Sequence, residues 1–334
     1  MLVLGIETTC DETSCAVVQD GRKILSNVIS SQIDLQKEFG GVVPELACRR
    51  HIEVIVPVLQ EALKEAGCTL QDIDRIAVAK GPGLVGALLI GLHFAKTLAF
   101  SLDIPLVPIN HIEAHLYAAV MSHETPTFPA LGVVLSGGHT SLIGMDNIGA
   151  YTLLGETVDD AIGESFDKVA KMLSLPYPGG PYIEKMALTG NPERFSFKAG
   201  RVKANPLDFS FSGIKTSVLY TIRDLPKPLS EQDICDISAS FQEAVFSDVI
   251  KKMHLVLKET PYPCIYLGGG VTHNKKLREH LAKSFNIPFY LPRNDLCLDN
   301  AAMIAGLGFH KAPHAGYDLD PETRIPFHRN KSTG

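Results

Sequence analysis

Short apolar runs separated by polar turns predict two similar α/β units along this chain. The pattern predicts strands at residues 2–6 and 14–19, and again at residues 131–135 and 141–145. Each pair is joined by a polar turn, and Thr followed by Ser opens the returning strand both times. We interpret this repeat as an internal duplication with two lobes facing one cleft. The alternative is two unrelated hairpins.

Hydrophobic periodicity predicts the other helices and strands of each unit. An amphipathic helix is predicted at residues 52–66, interrupted near Pro57 because proline lacks a backbone N–H. The other predicted elements are strands at 75–79 and 264–267 and helices at 83–102, 239–259, 274–284 and 299–309. The longest apolar run, residues 84–102, contains His93 and Lys96, so it predicts a buried helix rather than a membrane span.

Composition describes an ordinary globular protein. The 334 residues are 45% hydrophobic and 20% charged, which is enough for two lobes of ordinary domain size. Seven cysteines without a Cys-x-x-Cys pair argue against a disulfide framework or a cysteine zinc site, and favour a reducing cytoplasm. The N-terminus opens into a strand without a basic stretch or cleavage site, so we expect neither secretion nor a membrane partner.

Charge is uneven along the chain. The net charge of −6 does not suggest a nucleic-acid binder, but residues 185–223 carry seven basic residues against two acids, Glu193 and Asp208. The basic residues are Lys185, Arg194, Lys198, Arg201, Lys203, Lys215 and Arg223. This excess is either a docking patch for phosphates or a solvated loop. The part at residues 187–206 is expected to be an irregular surface excursion.

His111 and His115 lie four residues apart in a helix-forming run, so both imidazoles project from one helix face. Two neutral imidazoles one turn apart form half of a metal site; the alternative is two ordinary polar histidines. A metalloprotease also places two histidines four apart, with a glutamate base beside the first. Here the acid is Glu113, midway between them, which points to the opposite side of the helix. The spacing therefore allows a metal but lacks the protease base.

Three glycine-rich turns follow predicted strands. Residues 81–86 match Gly-x-Gly-x-x-Gly, but Pro82 removes an amide, and the nearest candidate acid, Asp103, comes before the next strand rather than after it. A dinucleotide site is therefore rejected. The turn at residues 136–140, Ser-Gly-Gly-His-Thr, exposes backbone amides that can cradle an anion. Residues 268–270 are three glycines leading to Asn274, at the predicted start of a helix. Together the last two turns predict a nucleotide cleft.

A third metal ligand is needed beside the two histidines. Asp299, in Asp-Asn-Ala-Ala-Met-Ile-Ala, is the candidate. Its alternative role is the N-cap of an Ala-rich helix, which is the commoner use of an aspartate at this place. Two histidines and one aspartate suit Fe2+, Zn2+ or Mn2+ about equally, and we expect one divalent metal in the chain.

Nine motifs resemble, in order and spacing, the TsaD/Gcp/YgjD family, once labelled O-sialoglycoprotein endopeptidase. Two of them are Asn-His-Ile-Glu-Ala-His at 110–115 and Ser-Gly-Gly-His-Thr at 136–140. The others occupy residues 4–14, 41–47, 80–86, 159–170, 177–181, 211–216 and 299–305. The resemblance covers essentially the whole chain.

The resemblance implies an α/β, two-lobed actin/Hsp70/sugar-kinase-like fold, built from duplicated RNase H-like domains around a central cleft. The expected lobes are residues 1–128, completed by a C-terminal helix at about 300–327, and residues 129–299, including the basic excursion at 185–223. The implied reaction transfers a threonylcarbamoyl group from threonylcarbamoyl-AMP to N6 of adenosine 37 in tRNAs that read ANN codons, releasing AMP. The implied protein partners are TsaB, a related subunit, and the ATPase TsaE.

The resemblance also assigns site residues. His111, His115 and Asp299 match metal ligands. The matching ligand-binding positions are Val134, Leu135, Ser136, Gly137, Gly138, Asp167, Gly180, Glu184 and Asn274. Two positions depart from the family pattern: Glu184 replaces an Asp, and Leu298 replaces a Thr, so support for Asp299 must come from elsewhere.

Asp11 and His139 are the candidate catalytic residues. Asp11, on the first hairpin turn, is expected to act as a general base or to orient the amine; its alternative is a structural role in closing the turn. His139 lies in the turn expected to receive the phosphate. The rival functions are a metallopeptidase, which the direction of Glu113 disfavours, and an ATP-binding chaperone-like or regulatory module, which this fold also serves.

Overall fold

Two five-stranded sheets form the framework of the protein. A computed structural model describes residues 1–325. The first sheet contains β1 (Leu2–Glu7), β2 (Glu12–Gln19), β3 (Lys23–Ser31), β4 (Arg75–Gly81) and β5 (Leu106–Asn110). The second contains β6 (Ala130–Leu135), β7 (Thr140–Asn147), β8 (Ala150–Glu156), β9 (Ile265–Gly268) and β10 (Phe289–Tyr290).

The two sheets have the same topology. The strand order is β3-β2-β1-β4-β5 in the first and β8-β7-β6-β9-β10 in the second. In both sheets the first three strands pair antiparallel and the remaining pairs are parallel. This confirms the duplication predicted from the repeated hairpins. The sequence pattern missed β3 and β8, both partly exposed strands whose apolar positions do not alternate regularly.

Ten α-helices accompany the sheets in the described residues. They are α1 (Ile33–Lys37), α2 (Pro44–Ala66), α3 (Val85–Leu102), α4 (His111–Met121), α5 (Ile162–Met172), α6 (Gly179–Ala187), α7 (Ser212–Asp224), α8 (Glu231–Glu259), α9 (Lys275–Ser284) and α10 (Ala301–His310). The sequence analysis assigned no helix at α1, α5, α6 or α7. Residues 188–208 contain neither helix nor strand, as expected for the excursion.

The prediction for α2 was wrong in two respects. The helix begins at Pro44 rather than near residue 52, and it continues through Pro57 without a break. Pro57 leaves the carbonyl of Glu53 without its helical partner, but both residues are exposed, so water can satisfy that oxygen. Pro44 occupies the first helical position, where a missing N–H costs nothing.

Helices α4 and α10 lie in the core between the sheets. One buried cluster joins Val3 and Ala16 of the first sheet, Val134 of the second, and residues of both helices. At Gly5 an added Cβ would stand 2.2 Å from the Ala301 carbonyl oxygen, so α10 packs directly on β1. Two of the expected metal ligands lie on α4, and the third, Asp299, lies just before α10. The packing of the two helices fixes where those side chains meet.

The C-terminal helix is shorter than expected. It ends at His310 rather than near residue 327, and residues 311–325 contain no helix; residues 326 and 327 lie outside the described part. In the described residues one helix, α3, is apolar and long enough to cross a membrane by length and composition. Its buried residues Leu92, Ala95 and Ala99 belong to the core that covers the first sheet. Only 33% of the helix is buried, so the prediction of a buried helix holds for one face alone.

Candidate metal centre and adjoining cleft

Helix α4 presents two histidines from a well-defined N-terminus. The side-chain oxygen of Asn110 accepts a hydrogen bond from the Ile112 backbone N–H at 2.9 Å, which caps the helix and makes His111 its first residue. His115 follows one turn later, and the two ring centroids lie 4.6 Å apart. The two residues are only 3% and 1% exposed. The cap therefore fixes both imidazoles on one buried face.

Asp299 approaches both histidines from the residue that precedes the N-cap of α10. Its Oδ1 lies 3.5 Å from His111 Nε2 and 3.2 Å from His115 Nε2. One potential ligand atom from each residue falls within 4.8 Å of the others. The N-cap of α10 is Asn300, whose side-chain oxygen accepts a hydrogen bond from the Met303 N–H at 3.1 Å. The alternative role of Asp299 as the cap is therefore wrong.

Both ring nitrogens of His115 are buried without a hydrogen-bond partner among the described residues. Nε2 is close to Asp299, but the two groups are not aligned for a hydrogen bond. Buried polar atoms without partners are rare and need an explanation. Donor atoms that converge on one point without bonding each other suit a cation, and two nitrogens with one carboxylate oxygen suit a divalent transition metal.

The charge states of the three side chains also favour a bound divalent cation. Burial, reinforced by His111, lowers the pKa of His115, so its imidazole is neutral. Burial opposes a charge on His111, but the Glu7 and Asp299 carboxylates outweigh it and raise its pKa to about 10. Despite burial, the two imidazoles hold the pKa of Asp299 well below its ordinary value. A bound cation would replace the proton on His111, because metal ligands must be deprotonated.

Glu7 is a site residue that sequence reasoning missed. It ends β1 and is fully buried; its Oε2 lies 2.9 Å from His111 Nδ1, and its Oε1 accepts a hydrogen bond from the Thr9 N–H at 2.6 Å. A carboxylate on Nδ1 selects the tautomer that leaves Nε2 free to bind a metal. The available signal was a glutamate at the end of an otherwise apolar strand.

Leu298 cannot supply the hydroxyl that the Thr of the family pattern would place beside Asp299. Its side chain is 57% exposed and lies over Gly270, where an added Cβ would be 2.9 Å from the leucine Cδ2. Glu7 orients His111 rather than Asp299, so it does not supply the support expected for Asp299.

Glu113 points away from this cluster, as predicted. Its Oε2 forms an ion pair of 2.5 Å with Lys311 Nζ, in the segment that follows α10. Both groups are largely shielded, with 14% and 26% of the side chains exposed. Glu113 is therefore engaged on the opposite side of α4 and cannot serve as the base that a metallopeptidase needs beside its metal.

The glycine turn between β6 and β7 has an open outer face. An added Cβ at Gly137 or Gly138 would meet nothing within 4 Å. On the inner face, the Gly163 and Glu164 N–H groups at the start of α5 donate to the carbonyl oxygens of Ser136 and Gly137 at 3.1 and 3.2 Å. The carbonyls are thus turned toward the protein, which leaves the turn suited to an anion on its open face.

His139 connects this turn to the histidine cluster. Its ring centroid lies 6.1 Å from that of His111. Its N–H donates to Ser136 Oγ at 3.0 Å, and its carbonyl accepts from the Ser136 N–H at 2.9 Å. Burial and the two neighbouring imidazoles lower the pKa of His139 to about 3. It is therefore a neutral group between the metal-type ligands and the anion turn.

Two of the three glycines at residues 268–270 are required by close backbone contacts. Added Cβ atoms at Gly268 and Gly269 would stand 2.6 Å from the His115 carbonyl oxygen and 2.5 Å from that of Leu135. Gly269 also has φ +91°, which favours glycine. Val134 and Leu135, both expected in the ligand site, have fully buried side chains, so only their backbone can face a ligand.

The expected ribose and adenine residues lie around α6 and α9. Asn274 caps α9 by accepting from the Lys276 N–H at 3.0 Å, and its amide donates to Gln242 Oε1 at 2.8 Å. Glu184 Oε1 accepts from the Lys275 N–H at 2.8 Å, so its extra methylene brings it to the start of the same helix. These contacts join the two residues at one end of α9.

Gly180 and Asp167 face the cleft from the second lobe. An added Cβ at Gly180 would meet nothing within 4 Å. Asp167 Oδ1 accepts from the Gly179 N–H at 2.7 Å. Burial, with a contribution from Asp11, raises the pKa of Asp167 to about 6. Burial, Asp11 and Asp167 also raise the pKa of the Tyr177 hydroxyl. Asp11 of the first lobe thus contributes to the electrostatics of Asp167 and Tyr177 of the second.

The Gly-x-Gly-x-x-Gly loop packs against protein rather than facing a ligand. An added Cβ at Gly81 would clash with the Glu322 carbonyl oxygen at 1.8 Å, and one at Gly83 with that of Thr9 at 2.5 Å. The Leu84 N–H donates to the Thr9 carbonyl oxygen at 2.8 Å. The loop thus braces the first hairpin turn, which agrees with the rejection of a dinucleotide site.

The basic segment carries fewer free charges than the sequence suggested. Arg194 pairs with Asp233 and Asp236 at 2.6 and 2.8 Å, and Lys215 pairs with Asp160 at 3.0 Å. Arg223 pairs with its neighbour Asp224 at 3.1 Å. All four of these acids lie outside residues 185–223, so counting charges within the segment missed them. Lys198, Arg201 and Lys203 are exposed.

Comparison with known proteins agrees with the sequence motifs. Residues 23–306 match the family model TsaD, described as tRNA N6-adenosine threonylcarbamoyltransferase. The tRNA N6-adenosine threonylcarbamoyltransferase of Protochlamydia amoebophila (strain UWE25) is 58% identical, over 98% of this chain and 98% of the relative.

Two solved structures show the fold. HypF from T. kodakarensis matches with a TM-score of 0.62 and 15% identity, over 92% of this chain and 47% of that one. The ROK hexokinase from Thermus thermophilus matches with a TM-score of 0.50 and 15% identity, over 92% and 97%. They confirm the two-lobed actin/Hsp70/sugar-kinase-like fold. The family match over residues 23–306, the motifs and the duplicated sheets together show that this chain belongs to the TsaD family.

Proposed function

We propose that this protein is a tRNA N6-adenosine threonylcarbamoyltransferase. It transfers the threonylcarbamoyl group of threonylcarbamoyl-AMP to N6 of adenosine 37 in tRNAs that read ANN codons, and releases AMP. One structural observation carries the proposal: the cluster of His111, His115 and Asp299 adjoins the open turn of Ser136–Thr140, with His139 between them. A metal centre for the acyl group and an anion site for the adenylate are thus neighbours.

His111, His115 and Asp299 would hold the metal, with Fe2+ expected first and Zn2+ or Mn2+ as alternatives. When bound, a divalent cation there supplies Lewis-acid polarisation of the acyl oxygens. Glu7 holds the His111 ring so that Nε2 faces the site. The orphaned nitrogens of His115 support this assignment, because a ligand role removes their burial cost.

The adenylate would lie along the second lobe. The amides of Gly137 and Gly138 would receive the phosphate, and the backbone at Val134, Leu135 and Ser136 shapes that turn. Asp167, Gly180, Glu184 and Asn274 would bind ribose and adenine. As AMP leaves, negative charge grows on the phosphate oxygen, and fixed amides stabilise it without reorganising.

Asp11 would receive the amine proton. As N6 of adenosine attacks the carbamoyl carbon, an N–C bond forms, the bond from that carbon to the phosphate oxygen breaks, and AMP leaves with the bonding pair. The N6 amine loses one proton, which passes to the Asp11 carboxylate. The electrostatic influence of Asp11 on Asp167 and Tyr177 supports this role, because it links the carboxylate to residues of the second lobe.

The exposed side chains of Lys198, Arg201 and Lys203 would contact tRNA phosphates. TsaB and TsaE are the proposed protein partners, and the cytoplasm, where tRNA is modified, the proposed location. A protein partner is supported by the exposed apolar residues Ile52 and Val56 of α2 and Val85 and Leu89 of α3, with 66, 47, 54 and 37% exposure.

Mass spectrometry of tRNA nucleosides tests the function. Purified protein, with the companion proteins, is incubated with an unmodified tRNA that reads an ANN codon and with threonylcarbamoyl-AMP supplied directly. We expect threonylcarbamoyladenosine at position 37, and none in the same tRNA with guanosine at that position. Cleavage of a glycoprotein, or phosphate release from ATP without any modified nucleoside, would replace this proposal by a peptidase or an ATP-binding module.

A further inference from the structure

We infer that His51, a residue of α2, positions the Asp11 carboxylate by holding the turn between β1 and β2 through two hydrogen bonds. The role of Asp11 rests on the proposed function. That His51 holds the turn rests only on its hydrogen bonds to Cys10 and Thr13. His51 touches the turn, not the reacting groups, so it is a positioning residue.

Both ring nitrogens of His51 bond to the turn. Nε2 lies 3.0 Å from the Cys10 carbonyl oxygen, and Nδ1 lies 2.7 Å from Thr13 Oγ1. A carbonyl oxygen only accepts, so Nε2 carries the hydrogen and Nδ1 accepts from the Thr13 hydroxyl. One neutral tautomer satisfies both bonds. His51 and Thr13 are each 0% exposed, so water cannot replace either partner.

The residues between these two contacts are held as well. The Gln32 N–H donates to the Asp11 carbonyl oxygen at 3.1 Å, and Ser31 Oγ donates to Glu12 Oε1 at 2.9 Å. Neighbouring elements thus hold the turn through bonds that do not involve the Asp11 carboxylate.

Loss of the hold should affect the reaction step more than ligand binding. The proposed adenylate site belongs to the second lobe, whereas His51 and Thr13 act on the first. Proton transfer depends steeply on distance and alignment, so a small displacement of Asp11 slows the chemistry. We therefore expect a lower kcat with little change in the KM for threonylcarbamoyl-AMP.

Thr13→Val is the test variant, because it removes one hydroxyl and spares the buried ring that His51→Ala would delete. We expect kcat to fall about tenfold, with the KM for threonylcarbamoyl-AMP within about twofold of wild type. Thr13→Ser, which restores the hydroxyl, should recover most of the rate. A raised KM with unchanged kcat, or no recovery in Thr13→Ser, overturns the inference.

A double-mutant cycle with Asp11→Asn shows whether the effect passes through Asp11. If it does, Thr13→Val should slow the wild type but cost little more in the Asp11→Asn background. Equal slowing in both backgrounds overturns the inference. So does a wild-type rate in Asp11→Asn, because Asp11 would then have no role to be positioned for.

Hydrogen exchange of the apo protein separates this inference from the proposed function. In Thr13→Val we expect faster exchange in peptides covering residues 8–14, and unchanged exchange in the second lobe. Unchanged exchange at residues 8–14 shows that His51 does not hold the turn and overturns the inference. If the wild type fails to modify tRNA but Thr13→Val still exchanges faster at the turn, the proposed function and the role of Asp11 are overturned. The inference that His51 holds the turn then remains.

Discussion

Glu7 and His111 lie 104 positions apart in the chain and are joined by a 2.9 Å hydrogen bond between Oε2 and Nδ1. Glu7 ends the first strand, and His111 begins the helix that follows the fifth. The bond crosses the first sheet from β1 to the end of β5, and it directs the other imidazole nitrogen toward Asp299. The orientation of a proposed metal ligand is therefore set by a strand at the opposite end of the lobe's sequence.

Glu7→Gln should weaken metal binding. The amide keeps an oxygen for the Thr9 N–H but replaces the carboxylate that fixes the His111 tautomer. We expect affinity for the metal to fall about 10- to 100-fold, measured by competition with a chelator. Glu113→Gln is the matched control, because it also neutralises a shielded glutamate but faces Lys311, and it should keep its affinity. Equal affinities in wild type and Glu7→Gln would contradict this role.

The double substitution His111→Ala with His115→Ala should abolish both metal binding and threonylcarbamoyl transfer without unfolding the protein. Metal content, measured after purification by elemental analysis, should fall from about one ion per chain to almost none, because one carboxylate alone cannot hold a transition metal tightly. Circular dichroism should be unchanged. The control removes two histidines from α8 and α9, His254→Ala with His280→Ala, and should keep both properties. Full transfer activity in the metal-free double variant would refute the metal site.

Asp11→Asn should slow transfer while threonylcarbamoyl-AMP still binds. Asparagine has nearly the same shape but cannot accept the amine proton, so we expect kcat to fall roughly a hundredfold or more. Binding of the adenylate, measured by calorimetry with a non-reacting analogue, should change little. Loss of binding with the rate otherwise intact would make Asp11 a ligand-site residue instead of a base.

Asp167→Asn should change how stability depends on pH. The pKa of Asp167 is about 6 in the folded protein against an ordinary 3.8, so the folded state binds this proton more tightly. The group therefore lowers stability increasingly as the pH rises from about 4 to 6, and fully above that. Asparagine keeps the acceptor for Gly179 and cannot ionise. We expect its melting temperature to exceed that of wild type at pH 7 and to match it near pH 4.

A constant difference between Asp167→Asn and wild type at every pH would mean that the folded protein does not raise the pKa of Asp167.

Replacing Lys198, Arg201 and Lys203 by Ala should weaken tRNA binding and flatten its salt dependence. Each lost phosphate contact lowers the slope of log affinity against log salt by about 0.9 on duplex regions. The slope should fall by up to about 3 if all three side chains bind phosphates. Neutralising the exposed Lys23, Lys258 and Lys283, which lie on β3, α8 and α9, controls for net charge. An unchanged slope in the test variant would move the tRNA surface elsewhere.

Local patterns were enough for the main features of the fold and part of the site. Hairpins at the start of each lobe, and the i, i+4 spacing of His111 and His115, are set by strand and helix periodicity over a few residues. The direction of Glu113 follows from the same helical geometry. The partly exposed strands β3 and β8, and short helices such as α1 and α6, carry weaker periodic signals and were missed.

The amino-acid sequence by itself determined the duplicated hairpins, the family and the candidate ligands, because each depends on neighbouring residues or an ordered set of motifs. Only the tertiary structure decided which residues meet. It showed that Glu7 bonds to His111. It also showed that Asn300, not Asp299, caps α10, and that Arg194 forms ion pairs with acids of α8. Such pairings depend on how distant elements pack in the core, and no local period or spacing in the chain records that packing.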